Sequence, residues 1–125
     1  METTDKITND GRNLRVTLDV YLFMEDEIYI AYAPSLDLSG YGQSEEEALK
    51  SFSTVMDEYI SYGLSQRTLI KDLKAHGWKV KSFRQRKMSA PSFDMLIQSN
   101  DMFRDILTTK DYRKVSEPFP ISAPA

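Results

Sequence analysis

The chain contains no cysteine. Disulfides, thiolate metal sites and cysteine nucleophiles are excluded together. Its five glycines are scattered as turn residues, so no glycine-rich phosphate loop exists. No apolar run approaches the roughly 18 residues that a membrane-spanning helix needs. The first dozen residues, Met1 to Arg12, are polar and lack the apolar stretch of an export signal. The expected location is therefore the cytoplasm, with no membrane partner.

What remains is enough for one domain: 125 residues can bury a stable core without staples. The net charge of −3 hides a division. Residues 1–77 carry 7 Lys/Arg against 14 Asp/Glu, whereas residues 78–125 carry 9 against 5. Such a split either marks two surfaces for two partners or lets the two halves of one domain attract each other.

Residues 1–12 are polar, with an Asn9-Asp10-Gly11 turn signal, and are expected to lack regular structure. Leu14, Val16, Leu18, Val20 and Leu22 then alternate with Arg15, Thr17, Asp19, Tyr21 and Phe23, the period of a half-buried strand. An acidic turn, Glu25-Asp26-Glu27, leads into a second strand, Ile28 to Ala33, ended by Pro34. A short third strand is expected over Leu38 to Gly42.

Ser44 and Glu47 form a capping box, with Glu45, Glu46 and Glu47 at the favoured end of the helix dipole. Ala48, Leu49, Phe52, Val55, Met56, Tyr59 and Ile60 follow as one apolar stripe, and Gly63 is the expected stop. Ser65 to Gly77 reads as a shorter helix and Trp78 to Ser82 as a fourth strand. Residues 84–91 read as a basic linker. Phe93 to Leu107 is helical, broken near Ser99-Asn100-Asp101, and Tyr112 to Val115 offers a last strand. Pro118, Pro120 and Pro124 predict an extended tail. The fold class is α+β: a three-stranded antiparallel meander plus a fourth strand, with a long helix on one face in the order β-β-β-α-α-β. A helical extension and tail occupy residues 84–125, packed on the core or on a partner.

Tyr29-Ile30-Ala31-Tyr32-Ala33-Pro34-Ser35-Leu36, followed by Gly42-Gln43-Ser44-Glu45-Glu46-Glu47-Ala48-Leu49, resembles the HicB antitoxin-like family over residues 14–62. That family's pattern is an aromatic-Ala-aromatic strand, a Pro-x-Leu turn and a Gly-x-Thr/Ser-x-Glu-Glu-Ala helix start. The resemblance implies a HicB-like core over residues 13–83, with a partial RNase-H-like fold and no nuclease activity. It also implies a small basic HicA-type toxin, an RNA-cleaving protein, as partner, and a homodimer. Many members repress their own operon through a DNA-binding segment. Here Leu38-Ser39-Gly40 replaces the usual Pro-Gly-Cys, and the C-terminal part carries no clear helix-turn-helix or ribbon-helix-helix pattern.

Chemistry-bearing residues are few. Asp19 sits on the first strand, but the fourth offers Trp78, Lys79 and Val80 where two-metal hydrolysis would want a carboxylate. His76 ends a helix and has no evident triad partner. No catalytic residue, metal or cofactor is expected. Lys79, Lys81, Arg84, Arg86 and Lys87, beside Trp78 and Phe83, read either as nucleic-acid contacts or as a strand edge defended by charge. If Leu14 to Leu22 face the long helix, Tyr21, Phe23, Tyr29 and Ala31 form the opposite face and Tyr32 joins the helix side. That face needs a cover: the chain's own Phe93–Leu107 segment, a second copy, or a toxin-like partner.

Overall fold

In the computed structural model, which describes residues 6–10, 13–82 and 87–122, the alternating segment becomes the axis of the molecule. The elements are β1 (Lys6–Asp10), β2 (Asn13–Glu25), β3 (Ile28–Ala33), β4 (Leu38–Gly42), α1 (Glu45–Gln66), α2 (Leu69–Ala75), β5 (Lys79–Ser82), β6 (Lys87–Ser89), α3 (Phe93–Ser99), α4 (Asp101–Thr109) and β7 (Arg113–Ser122). Five strands form one antiparallel sheet, so the fold is α+β as expected. β2 pairs with β7 along Asn13 to Leu22 on one side. On its other side it pairs first with β1 and then with β3, which carries β4.

The β2–β3 connection sets the faces. Glu25 pairs with Ile28, leaving the two-residue turn Asp26-Glu27, with φ of 51° and 66°. Positive φ at both positions is the type I′ geometry that follows the natural twist of a hairpin. A two-residue turn pairs odd positions with even ones: Tyr21 faces Tyr32, and Leu22 faces Ala31. Directly opposed residues share a face. Tyr32 therefore lies with Tyr21 and Phe23, while Ala31 and Tyr29 lie with Leu22. This reverses the expected sides of β3, because alternation alone does not give the turn length.

α1 covers the Leu18–Val20–Leu22 face. Ala48, Phe52 and Met56 pack with Ala31, Ala33, Leu36, Leu69, Leu73 and Trp78. The capping box forms: the Glu47 amide donates to Ser44 Oγ at 3.1 Å, and the Glu47 carboxylate accepts from the Gln43 amide at 2.7 Å. The helix crosses β4 closely because Gly40 has no side chain; a Cβ there would lie 2.3 Å from the Phe52 nitrogen. α1 also runs past Gly63, ending at a left-handed Arg67. Gly63 instead admits Leu69, and Ser65 lies inside the helix rather than capping the next one. α2 begins after Thr68, whose side chain makes no capping bond.

Four further expectations change. Lys6–Asp10, expected to lack regular structure, pairs with β2, while residues 1–5, 11 and 12 lie outside the described residues. β5 does not join the main sheet; it pairs with β6, taken from the expected linker, in a separate ribbon. The final strand extends from Arg113 to Ser122 and takes in Pro118 and Pro120 of the expected tail, Pro124 being outside the described residues. These prolines stand opposite Thr17 and Arg15. The register turns amides at those positions away from β2, so a missing N–H breaks no ladder bond and closes the outer edge to pairing. At the β4 edge, Ser51 of α1 accepts from the Tyr41 amide at 3.1 Å.

Two stability outcomes follow. Gly40→Ala should cost about 3 kcal/mol in urea unfolding, because the conflict is with helix backbone rather than a movable side chain. Replacing Asp26-Glu27 with Asn-Gly should instead raise stability by about 1 kcal/mol, since those residues accept positive φ with less strain.

Candidate interaction surfaces

Around Tyr21, Phe23, Ile30 and Tyr32 the second face of the sheet is covered by the chain itself. α3 and α4 lay Leu96, Phe103 and Ile106 over Tyr21, Phe23, Ile30 and Tyr32. The Tyr21 and Phe103 rings meet edge to face with centroids 4.9 Å apart, and Phe93 meets Phe103 at 5.6 Å. Tyr21 and Phe23 are buried, and Ala31 is buried on the opposite face beneath α1, where the half-buried Tyr29 also packs. The four residues expected to form one binding face are thus divided between two layers of core. None of Tyr21, Phe23 and Ala31 is open to a partner in this conformation.

The helical cover is fastened by Asn100, which sequence reading placed only at a helix break. Its Oδ1 accepts from the Phe103 amide at 2.9 Å and caps α4. Its Nδ2 donates to the Tyr32 hydroxyl at 2.8 Å, which in turn donates to Asp37 at 2.6 Å. Burial raises the Tyr32 phenol well above its ordinary value of 10.0; the Asn100 bond works against that rise, while Asp37 adds to it. Tyr59, whose hydroxyl donates to Asp72, is raised for the same leading reason, burial, and then by that carboxylate.

Asp37, Asn100, Pro34, His76, Pro91 and Met95 border a cavity of about 420 Å³. His76 serves the end of α2: its backbone amide reaches the Asp72 and Leu73 carbonyls, and its Nδ1 lies 2.9 Å from the Asp72 carbonyl. Asp19 is buried, with Ser116 Oγ at 3.5 Å and Lys114 Nζ at 3.9 Å. Among the described residues, no group of three or more His, Asp or Glu could hold a metal ion.

The basic stretch is only partly brought together. Lys79 and Lys81 are exposed on β5 and border a cavity of about 430 Å³ with Met88 and Ser89. Lys87 begins β6, and Phe83, Arg84 and Arg86 lie outside the described residues. Trp78 is no stacking platform: it is buried, and its indole N–H donates to the Ser35 carbonyl at 2.8 Å.

At the β2–β3 turn the charge is acidic. Glu25 pairs with Lys110 at 3.5 Å and Glu45 with Arg113 at 3.0 Å. Asp26 and Glu27 are exposed and belong to no ion pair among the described residues. Met24 and Ile28 beside them are also exposed, as is Tyr41 on β4. The signal was present in the sequence as three consecutive acids in a turn. No helix among the described residues is long and apolar enough to cross a membrane.

In comparisons with known proteins, no family model, curated protein or solved structure matched the chain.

The raised phenols give a pH dependence. A group whose folded value is raised contributes stability fully below its unfolded value and loses it as pH rises past that point. Urea stability should therefore fall above pH 10. Tyr32→Phe and Tyr59→Phe should each flatten that fall; unchanged alkaline slopes in both would contradict the buried-phenol account.

Proposed function

We propose that the chain is a HicB-like antitoxin, or a regulator derived from one, which binds and occludes a small basic HicA-type RNA-cleaving toxin in the cytoplasm without catalysis of its own. The observation that carries this reading is the acidic end of the sheet, where Asp26 and Glu27 project beside exposed Met24 and Ile28. A cationic protein surface suits such an end, with the charge speeding encounter and the apolar side chains supplying contact area. The quoted resemblance over residues 14–62 adds the class of partner. Tyr21, Phe23 and Ala31 take no part as direct contacts, being buried.

The experiment is titration of a catalytically inactive HicA-type toxin into the chain, alongside RNA cleavage by the active toxin. Tight binding that blocks cleavage, with association slowed about tenfold or more between 50 and 500 mM salt, is expected. Uninhibited cleavage with no binding would remove the antitoxin reading.

A second reading, a nucleic-acid-binding regulator without a toxin partner, is favoured by one observation: exposed Lys79 and Lys81 border a single recess. If all five residues of the basic stretch neutralise phosphates, duplex DNA binding should fall with a log–log salt slope of about −4.5. A flat response in fluorescence anisotropy would exclude it.

A further inference from the structure

Two surfaces of the molecule are opposite in charge. At one end the β2–β3 turn makes a knob. Asp26 and Glu27 stand at its tip, both exposed and both in the left-handed backbone region that Asn-Gly would occupy with less strain. Met24 at 46% exposure, Ile28 at 39% and Tyr41 at 58% flank it. The neighbouring cations Lys110 and Arg113 are already engaged by Glu25 and Glu45. The knob is thus an acidic tip on apolar shoulders, which repels nucleic acid and calls for a cationic seat with an apolar floor.

Such a seat exists on the same chain. The β5–β6 ribbon lies beside β1, which pairs with the first half of β2, whereas the knob follows the second half. Between the stretch of β2 paired with β1 and the knob lie the eight residues Leu18 to Glu25, roughly 25 Å of strand. On the ribbon, Lys79 and Lys81 border the recess of about 430 Å³, and Met88 reaches it from the margin of the core. That volume exceeds an Ile or Met side chain, and both lysines line it.

We propose that a second copy of this chain docks its Asp26-Glu27 knob into the Lys79–Lys81 recess. The two sites lie too far apart to meet within one copy. One contact per copy would build open chains, while two copies laid antiparallel satisfy both contacts and close. The closed pair is the expected species. This inference rests on the charge and form of this chain alone and is independent of the toxin reading. Knob and recess also cannot each serve two partners at once, so a basic partner held at the knob would compete with the second copy.

Sedimentation velocity on the full chain tests it. The mass of two copies is expected at 50 mM salt, shifting to one copy at 500 mM. Asp26→Lys with Glu27→Lys, and separately Lys79→Glu with Lys81→Glu, should each weaken association at least a hundredfold, because like charges then face each other. Mixing the two reversed proteins should restore pairing, each variant's fold being checked by circular dichroism. Asp26→Asn with Glu27→Gly should raise Tm while weakening association at least tenfold, an outcome that a merely damaged fold does not give. A single-copy mass at 50 mM salt, association that survives both reversals, or no recovery on mixing each overturns the proposal. Failure to recover would assign the knob to a separate basic partner or the ribbon to a polyanion.

Discussion

The rest of the structure depends on the pairing of Glu25 with Ile28. Two residues between paired strands make the sum of paired positions odd, so every side chain of β3 is assigned to a face by that one count. Tyr32 is sent beside Tyr21, while Ala31 and Ala33 are sent beneath α1, where small side chains let the helix descend onto the sheet. Gly40 continues the same surface on β4, and the absence of its Cβ allows Phe52 to approach. A third residue in the turn would exchange these assignments, lifting α1 on aromatic rings and leaving alanines under α3 and α4. The positive φ of Asp26 and Glu27 is the local cost of holding that count.

Much of this was legible before the structure. The alternation of β2, the capping box at Ser44, the apolar stripe of α1 and the break at Asn100 are all local signals, set by residues within a turn or two of one another. What was not legible depends on distance along the chain. The faces of β3 required a turn length that composition does not give. The partner of β5 was sought in the main sheet, but it lay in a three-residue strand within what read as a basic linker. Pro118 and Pro120 argued for a tail because proline usually ends pairing; on an outer edge, with its missing amide turned away, it does not. The candidate binding residues were misplaced for the same reason. Tyr21 and Phe23 did lie opposite the long helix, but the cover came from the chain's own α3 and α4.

Where β2 and β3 are described, both faces of the sheet are buried, one under α1 and the other under α3 and α4. The faces hold aromatic and aliphatic side chains packed against helices, with Asn100 joining the cover to the sheet through the Tyr32 hydroxyl. Exposed acids mark the β2–β3 turn, and exposed Lys79 and Lys81 mark β5. Part of the division of charge along the sequence is taken up within one molecule as contact between the two halves: Lys110 pairs with Glu25, Arg113 with Glu45 and Lys114 with Asp19.

The strand at the centre of the sheet has a kinetic consequence. Leu22 meets Arg113 and Asn13 meets Ser122, so ten residues of β2 are completed on one side by residues that lie beyond every described helix. The hairpin with β3 and the packing of α1 can form from nearby sequence. Closure by β7 must wait for the largest loop in the fold to be gathered in, and loops of that span slow the search. Until then β2 presents an open row of amides and carbonyls to any passing strand, which makes the interval before β7 docks the period of greatest exposure to misassembly.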